Sequence, residues 1–150
     1  MKIVCTNKKA GFEYFILERY EAGIKLTGTE IKSVRAHKCS MNDAYVIIKN
    51  NKAYLLNMHI TKYEKGNLFN HEEDRSRELL LHQHELIKLA TKVKLEGLAI
   101  VALQAYFKDS LLKIEIGLCR GKKLADKRET IKERESKRNI AKAIKDASRY

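Results

Sequence analysis

Apolar and polar side chains alternate with a period of two through much of the chain, and that period predicts strands. The clearest case is Ile114, Ile116 and Leu118, which alternate with Lys113, Glu115 and Gly117. Leu98–Lys108, the turn Asp109-Ser110 and Leu111–Leu118 together read as a hairpin. Tyr45–Lys49, then Asn50-Asn51-Lys52, then Ala53–Ile60 read as another. Phe12–Leu26 mixes aromatic and branched residues with charges, which suits one or two strands around Glu21-Ala22-Gly23.

Two stretches switch to helical spacing. Thr27-x-x-Glu30 matches a capping box opening Ile31–Ala36, where Ile31 and Val34 share a face. Leu86, Leu89, Ala90 and Val93 fall at i, i+3, i+4 and i+7, and Gly97 supplies the stop. The pattern predicts a mainly β fold with helices (β+α). Its expected form is a small closed antiparallel barrel of the oligonucleotide-binding type with packed helices.

Charge divides the chain in two. There are 31 Lys and Arg against 19 Asp and Glu, a net charge of +12 with a pI near 9.6. The stretch Arg120–Tyr150 holds 12 of the basic residues and 5 of the acidic ones. This predicts a body over residues 1–120 and a basic C-terminal tail over 121–150. Ile140, Ile144 and Ala147 share a stripe there, but so few apolar positions do not offset the ordering of the segment. The tail is therefore expected to be disordered alone and helical once phosphates neutralise it.

A balance this basic points to a polyanionic partner. No apolar run approaches the roughly 20 residues of a spanning helix, and the N-terminus lacks the apolar core of a secretory signal. A cytoplasmic protein with no membrane partner is expected. Cys5, Cys39 and Cys119 are widely spaced, which predicts reduced thiols rather than a disulfide framework or a zinc site.

Catalytic patterns fail on spacing. His71, Glu72, Glu73, Asp74, His82 and His84 are metal-ligating types, yet there is no H-E-x-x-H, and His82 and His84 alternate as strand neighbours would. There is no G-x-S-x-G elbow, and Gly117–Lys123 lacks the spacing of a phosphate loop. No enzyme, catalytic residue, metal, cofactor or small-molecule substrate is predicted. Asn7, Lys8 and Lys9, Lys32 and Arg35, Asn57 and His59, and Arg75 and Arg77 suit phosphates, sugars and splayed bases. Tyr14, Tyr45, Tyr63 and Phe69 suit base stacking. On these residues alone an RNA-binding protein is expected. A ribosomal or single-strand-binding protein, or a metal-dependent nuclease using His71, Asp74 and His82, stays open.

Seven blocks in order carry a resemblance. They are Asn7-Lys8-Lys9-Ala10 with Tyr14-Phe15-Ile16, Glu21–Arg35, Leu55–Ile60, Tyr63-Glu64-x-Gly66-Asn67-x-Phe69-Asn70-His71, Leu79–His82, Glu115–Lys123 and Asp126–Glu135. Over about Cys5 to Arg138 the chain resembles the SsrA-binding protein (small protein B) family. Departures are Glu72-Glu73 ahead of Arg75, where the family favours Asp-Pro and a basic run, and Ser110 at a turn where glycine is frequent.

The resemblance implies a protein that binds transfer-messenger RNA at its tRNA-like part and helps deliver it to stalled ribosomes for trans-translation. It implies contact by Asn7, Lys8, Glu30, Lys32, Arg35, Asn57 and His59, with Asn70, His71 and Arg75 in an RNA-facing loop. Lys122, Lys123, Asp126, Lys127 and Arg128 match the tail's entry segment, and Ile140 and Ile144 of the helical stripe lie beyond the resemblance. That tail is expected in the message channel and decoding region of the small subunit. Glu30 has two open readings, since the third position of a capping box would engage it on its own helix.

Overall fold

A computed structural model describes residues 2–63, 70–123 and 128. It is mainly antiparallel sheet with three helices among the described residues. In chain order these are β1 (Lys2–Thr6), α1 (Ala10–Glu13), β2 (Tyr14–Ile24), α2 (Gly28–Arg35), β3 (Cys39–Ser40), β4 (Tyr45–Lys49), β5 (Lys52–Leu56), β6 (His59–Ile60), β7 (Arg77–Leu80), α3 (Gln83–Glu96), β8 (Ala99–Lys108) and β9 (Leu111–Gly121).

The large sheet runs β1-β8-β4-β5-β7-β2-β9, and β9 also pairs with β8, so the hydrogen-bonded order closes on itself. One edge of β8 serves two strands: β4 meets Val101 and Ile100, and β1 meets Gln104 to Phe107. β3 and β6 form a separate two-stranded sheet.

Both predicted hairpins are present, and their turns explain their tightness. Asn50 and Asn51 (φ 52° and 60°) and Asp109 and Ser110 (φ 50° and 68°) are all left-handed. Two successive positive φ values give the mirror-image turn whose twist matches paired strands, and Asn and Asp tolerate it best after glycine. The period-two pattern of β9 sorts as expected: Leu112, Ile114, Ile116 and Leu118 are buried while Lys113 and Glu115 stay partly exposed. In α3, Leu86 and Leu89 face the core, and Gly97 (φ 64°) closes the helix.

One expectation is corrected and others gain detail. Of the one or two strands expected over Phe12–Leu26 there is one, β2, which follows the short α1 and carries a register shift between Ile16 and Glu18. Gly23 is needed for closeness, because a Cβ there would meet Leu80 Cβ at 3.3 Å. His82 and His84 are not strand neighbours. They lie at the start of α3 with rings stacked 5.5 Å apart, and the His82 amide donates to Glu85 Oε1 at 3.1 Å. Past the expected boundary at residue 120, β9 pairs Gly121 with Tyr14, and the Lys122 amide donates to Glu13 O at 2.8 Å.

Apolar residues from β4, β5, β6, β8, β9, α2 and α3 meet in one core, including Val34, Leu55, Ile60, Leu89, Ile114 and Ile116. No helix among the described residues is long and apolar enough to cross a membrane.

Candidate nucleic-acid interface

The candidate surface is built on a buried carboxylate. Thr27 caps α2: its hydroxyl accepts from the Glu30 amide at 3.4 Å, and the Thr27 amide donates back to Glu30 Oε1 at 2.9 Å. The cap turns the Glu30 side chain inward, where it is fully buried. There Arg75 Nη2 donates to Oε1 at 2.5 Å, and Arg77 Nε donates to Oε2.

Arg77 is also fully buried and distributes its remaining donors over backbone. Nη1 reaches Met58 O at 2.7 Å and Arg75 O at 3.0 Å, while Nη2 reaches Glu73 O at 3.1 Å and Glu72 O at 3.4 Å. One guanidinium thus ties the segment before β6 and the loop before β7 to α2. Burial alone would raise the Glu30 carboxyl, but the bonds from Arg75, the Thr27 amide and Arg77 outweigh it and hold it below its ordinary value. Burial lowers Arg77, and Glu30 pulls the other way.

His71 and Asn70 complete the frame. His71 is buried, with Nε2 2.8 Å from Ile60 O and Nδ1 2.9 Å from Thr29 Oγ1. Asn70 donates Nδ2 to Tyr63 O at 2.6 Å and accepts from the amides of Tyr63 and His71, each at 3.1 Å. The two sides of the 64–69 segment are therefore pinned to one another.

The expected contact residues divide accordingly. Lys8, Lys32, Arg35 and Asn57 are exposed, and His59, Asn70 and Arg75 are partly so. Lys32 Nζ lies over the Tyr63 ring at 5.3 Å. Asn57 takes a left-handed φ of 62°, which aims the chain into β6. His59 sits between Glu73 Oε2 at 3.2 Å and Asp74 Oδ1 at 3.1 Å. A hollow of about 370 Å³ opens between Lys9, Ser40, Asn42, Asn57, His59 and Asp74.

Arg77, expected as a direct contact, is fully buried with its donors on Glu30 and backbone inside the protein. Glu30 takes its capping role from a fully buried position. Asn7 is likewise inward: its Nδ2 donates to Ala102 O at 2.8 Å and its amide to Leu103 O at 2.7 Å. Thr29, Glu73 and Asp74, which hold His71 and His59, are absent from the expected set. Nothing local in the sequence marks these pairings.

Among the described residues no three His, Cys, Asp or Glu side chains are placed to hold a metal. Of the tail positions, Lys122 and Lys123 are described, Lys122 Nζ donating to Gly11 O at 3.0 Å, and Arg128 is exposed. Asp126, Lys127, Ile140 and Ile144 lie outside the described residues, as do the tail's predicted disorder and helix.

A basic β-sheet protein with exposed cations around a rigid polar frame belongs to the class of polyanion-binding modules. The comparisons give that class a family: residues 4–146 match the model of the SmpB protein family, and the chain belongs to it. An SsrA-binding protein of Trichodesmium erythraeum is 53% identical over 145 residues, covering 96% of this chain and 93% of that one. One of Geotalea uraniireducens is 48% identical over 148 residues, covering 99% and 98%. One of Acholeplasma laidlawii is 49% identical over 149 residues, covering 99% and 100%. A chain in the solved structure "tmRNA-SmpB: a journey to the center of the bacterial ribosome" superposes with a TM-score of 0.68 at 43% identity. It covers 84% of this chain and 92% of its own.

Proposed function

We propose that this protein binds transfer-messenger RNA at its tRNA-like part and helps deliver it to stalled ribosomes for trans-translation, acting by binding and not by catalysis. The observation that carries the reading is nearly end-to-end similarity to SsrA-binding proteins at about half identity, together with the match to a tmRNA–SmpB chain in the bacterial ribosome. The closed order of strands supports a small barrel of the oligonucleotide-binding type. In that reading Lys8, Lys32, Arg35, Asn57, His59 and Arg75 touch RNA. Glu30, Arg77, Asn7, Asn70 and His71 hold the backbone that presents them. The residues from Lys122 on form a basic tail that enters the decoding region and message channel, and the protein works in the cytoplasm.

The test is recovery of RNA bound to the tagged full chain from bacterial lysate, with the RNA then sequenced. Enrichment of one long tRNA-like species is expected. Enrichment of ribosomal RNA alone would replace this reading with a structural ribosomal protein.

A further inference from the structure

Two cysteines far apart in sequence lie on strands that pack on one another. The register of β1 on β8 shifts between Ile3 and Cys5, and such a bulge re-aims the side chains beside it. Val4 turns into the core and Cys5 is left half-buried. Beyond α2, His37 takes a left-handed φ of 59°, and the chain enters β3 at Cys39, also half-buried. β1 and β3 pack on one another, and both cysteines border the same apolar core.

Each thiol is the largest influence on the other's titration, and the two differ in character. The Cys5 thiol, with the Arg77 charge acting the same way, holds Cys39 below its ordinary value against the effect of burial. Cys39, with burial, pushes Cys5 up. One thiol is therefore suited to attack and the other to resolve. Cys119 is different: it is fully buried in a separate apolar cluster, and burial pushes it up to about 11.

We propose that Cys5 and Cys39 form a redox-modification site, in which a hydroperoxide converts the two thiols into an intramolecular disulfide. The Cys39 thiolate attacks a peroxide oxygen, the O–O bond breaks, and Cys39 becomes a sulfenic acid. The departing oxygen takes up the proton that Cys39 released. The Cys5 sulfur then attacks the Cys39 sulfur, the S–O bond breaks, and the hydroxyl leaves as water with the Cys5 proton. Two thiols are oxidised and one peroxide is reduced, and a dithiol reductant reverses the product by exchange. The bridge ties β1, which leads to Asn7 and Lys8, to β3, whose Ser40 pairs with His59. The site does not depend on the proposed RNA.

The test treats the reduced full chain with a small excess of hydrogen peroxide, then alkylates it and maps peptides by mass. A Cys5–Cys39 linked peptide lighter by two hydrogens is expected, with Cys119 recovered alkylated. Cys39→Ser should slow peroxide-dependent thiol loss by about tenfold or more, and Cys5→Ser should accumulate a dimedone-trappable sulfenic acid at Cys39. Cys119→Ser should cross-link like the parent. Free Cys5 and Cys39 after treatment, a link through Cys119, or linkage only between molecules would overturn the proposal. If either serine variant at the pair fails to fold by circular dichroism, the parent's peptide map decides.

Discussion

Replacing Glu30 with glutamine isolates the charge at the centre of the frame. Glutamine keeps the size and one acceptor oxygen, so the bond from the Thr27 amide survives. What it removes is the counter-charge of Arg77, which is fully buried with no solvent to replace it. Removing one partner of a buried pair costs about 3–5 kcal/mol. The retained acceptor places Glu30→Gln just below that range, at roughly 2–3 kcal/mol. For a chain of this size each kcal/mol moves the midpoint by about 2–4 °C, so a fall of roughly 5–10 °C is expected in a circular-dichroism melt. Arg77→Met should fall further, since it leaves the buried carboxylate with Arg75 and the Thr27 amide alone and also takes away the donors to Met58 O and Glu73 O. The double variant should lose less than the two singles combined by about 1–3 kcal/mol. A Glu30→Gln midpoint within about 1 °C of the parent would refute the argument that this pair holds the loops.

The same carboxylate sets a pH dependence. Its folded value is depressed, so its contribution is present above the unfolded value of about 4.3 and is lost as pH falls through the lower folded value. Acid titration of stability should show that loss in the parent and a shallower one in Glu30→Gln; parallel curves contradict it. Gly117→Ala should destabilise by about 1–3 kcal/mol, because the new Cβ would meet Leu103 Cδ1 at 3.0 Å and Cys119 Sγ at 3.2 Å. An unchanged denaturation midpoint would count against that packing. Deleting residues 124–150 leaves β9 and the Lys122 bonds intact, so folding and RNA binding should persist while a reconstituted rescue reaction stops. Normal rescue by the truncated chain would remove the tail's role. Changing Lys32 and Arg35 together to Glu should weaken RNA binding and flatten its salt dependence, each lost phosphate contact lowering the slope by about 0.9 on duplex. An unchanged slope excludes them.

Local periodicity made the hairpins, α2, α3 and the Gly97 stop legible, because each depends on neighbours a few residues away. β7 was missed for a physical reason: its first residue, Arg77, reads as surface until Glu30, forty-seven positions earlier, is known to face it. β1 was missed because its bulge breaks the alternation that marks a strand. The contact set suffered the same way. Charge and residue type identified Lys8, Lys32, Arg35 and Asn57, which are exposed. They do not separate these from Asn7 and Arg77, whose polar atoms face inward to partners fixed only by the fold.

The most direct test of the central claim is competition binding at about 0.15 M salt, where exposed charges are largely screened beyond about 8 Å. The labelled tRNA-like part of transfer-messenger RNA is held on the full chain and challenged with excess ribosomal RNA fragments of equal length. Retention of the labelled RNA, lost when Lys32 and Arg35 are both changed to Glu, is the predicted result. Equal displacement by every RNA would contradict the account and leave only a basic protein that binds polyanions by charge.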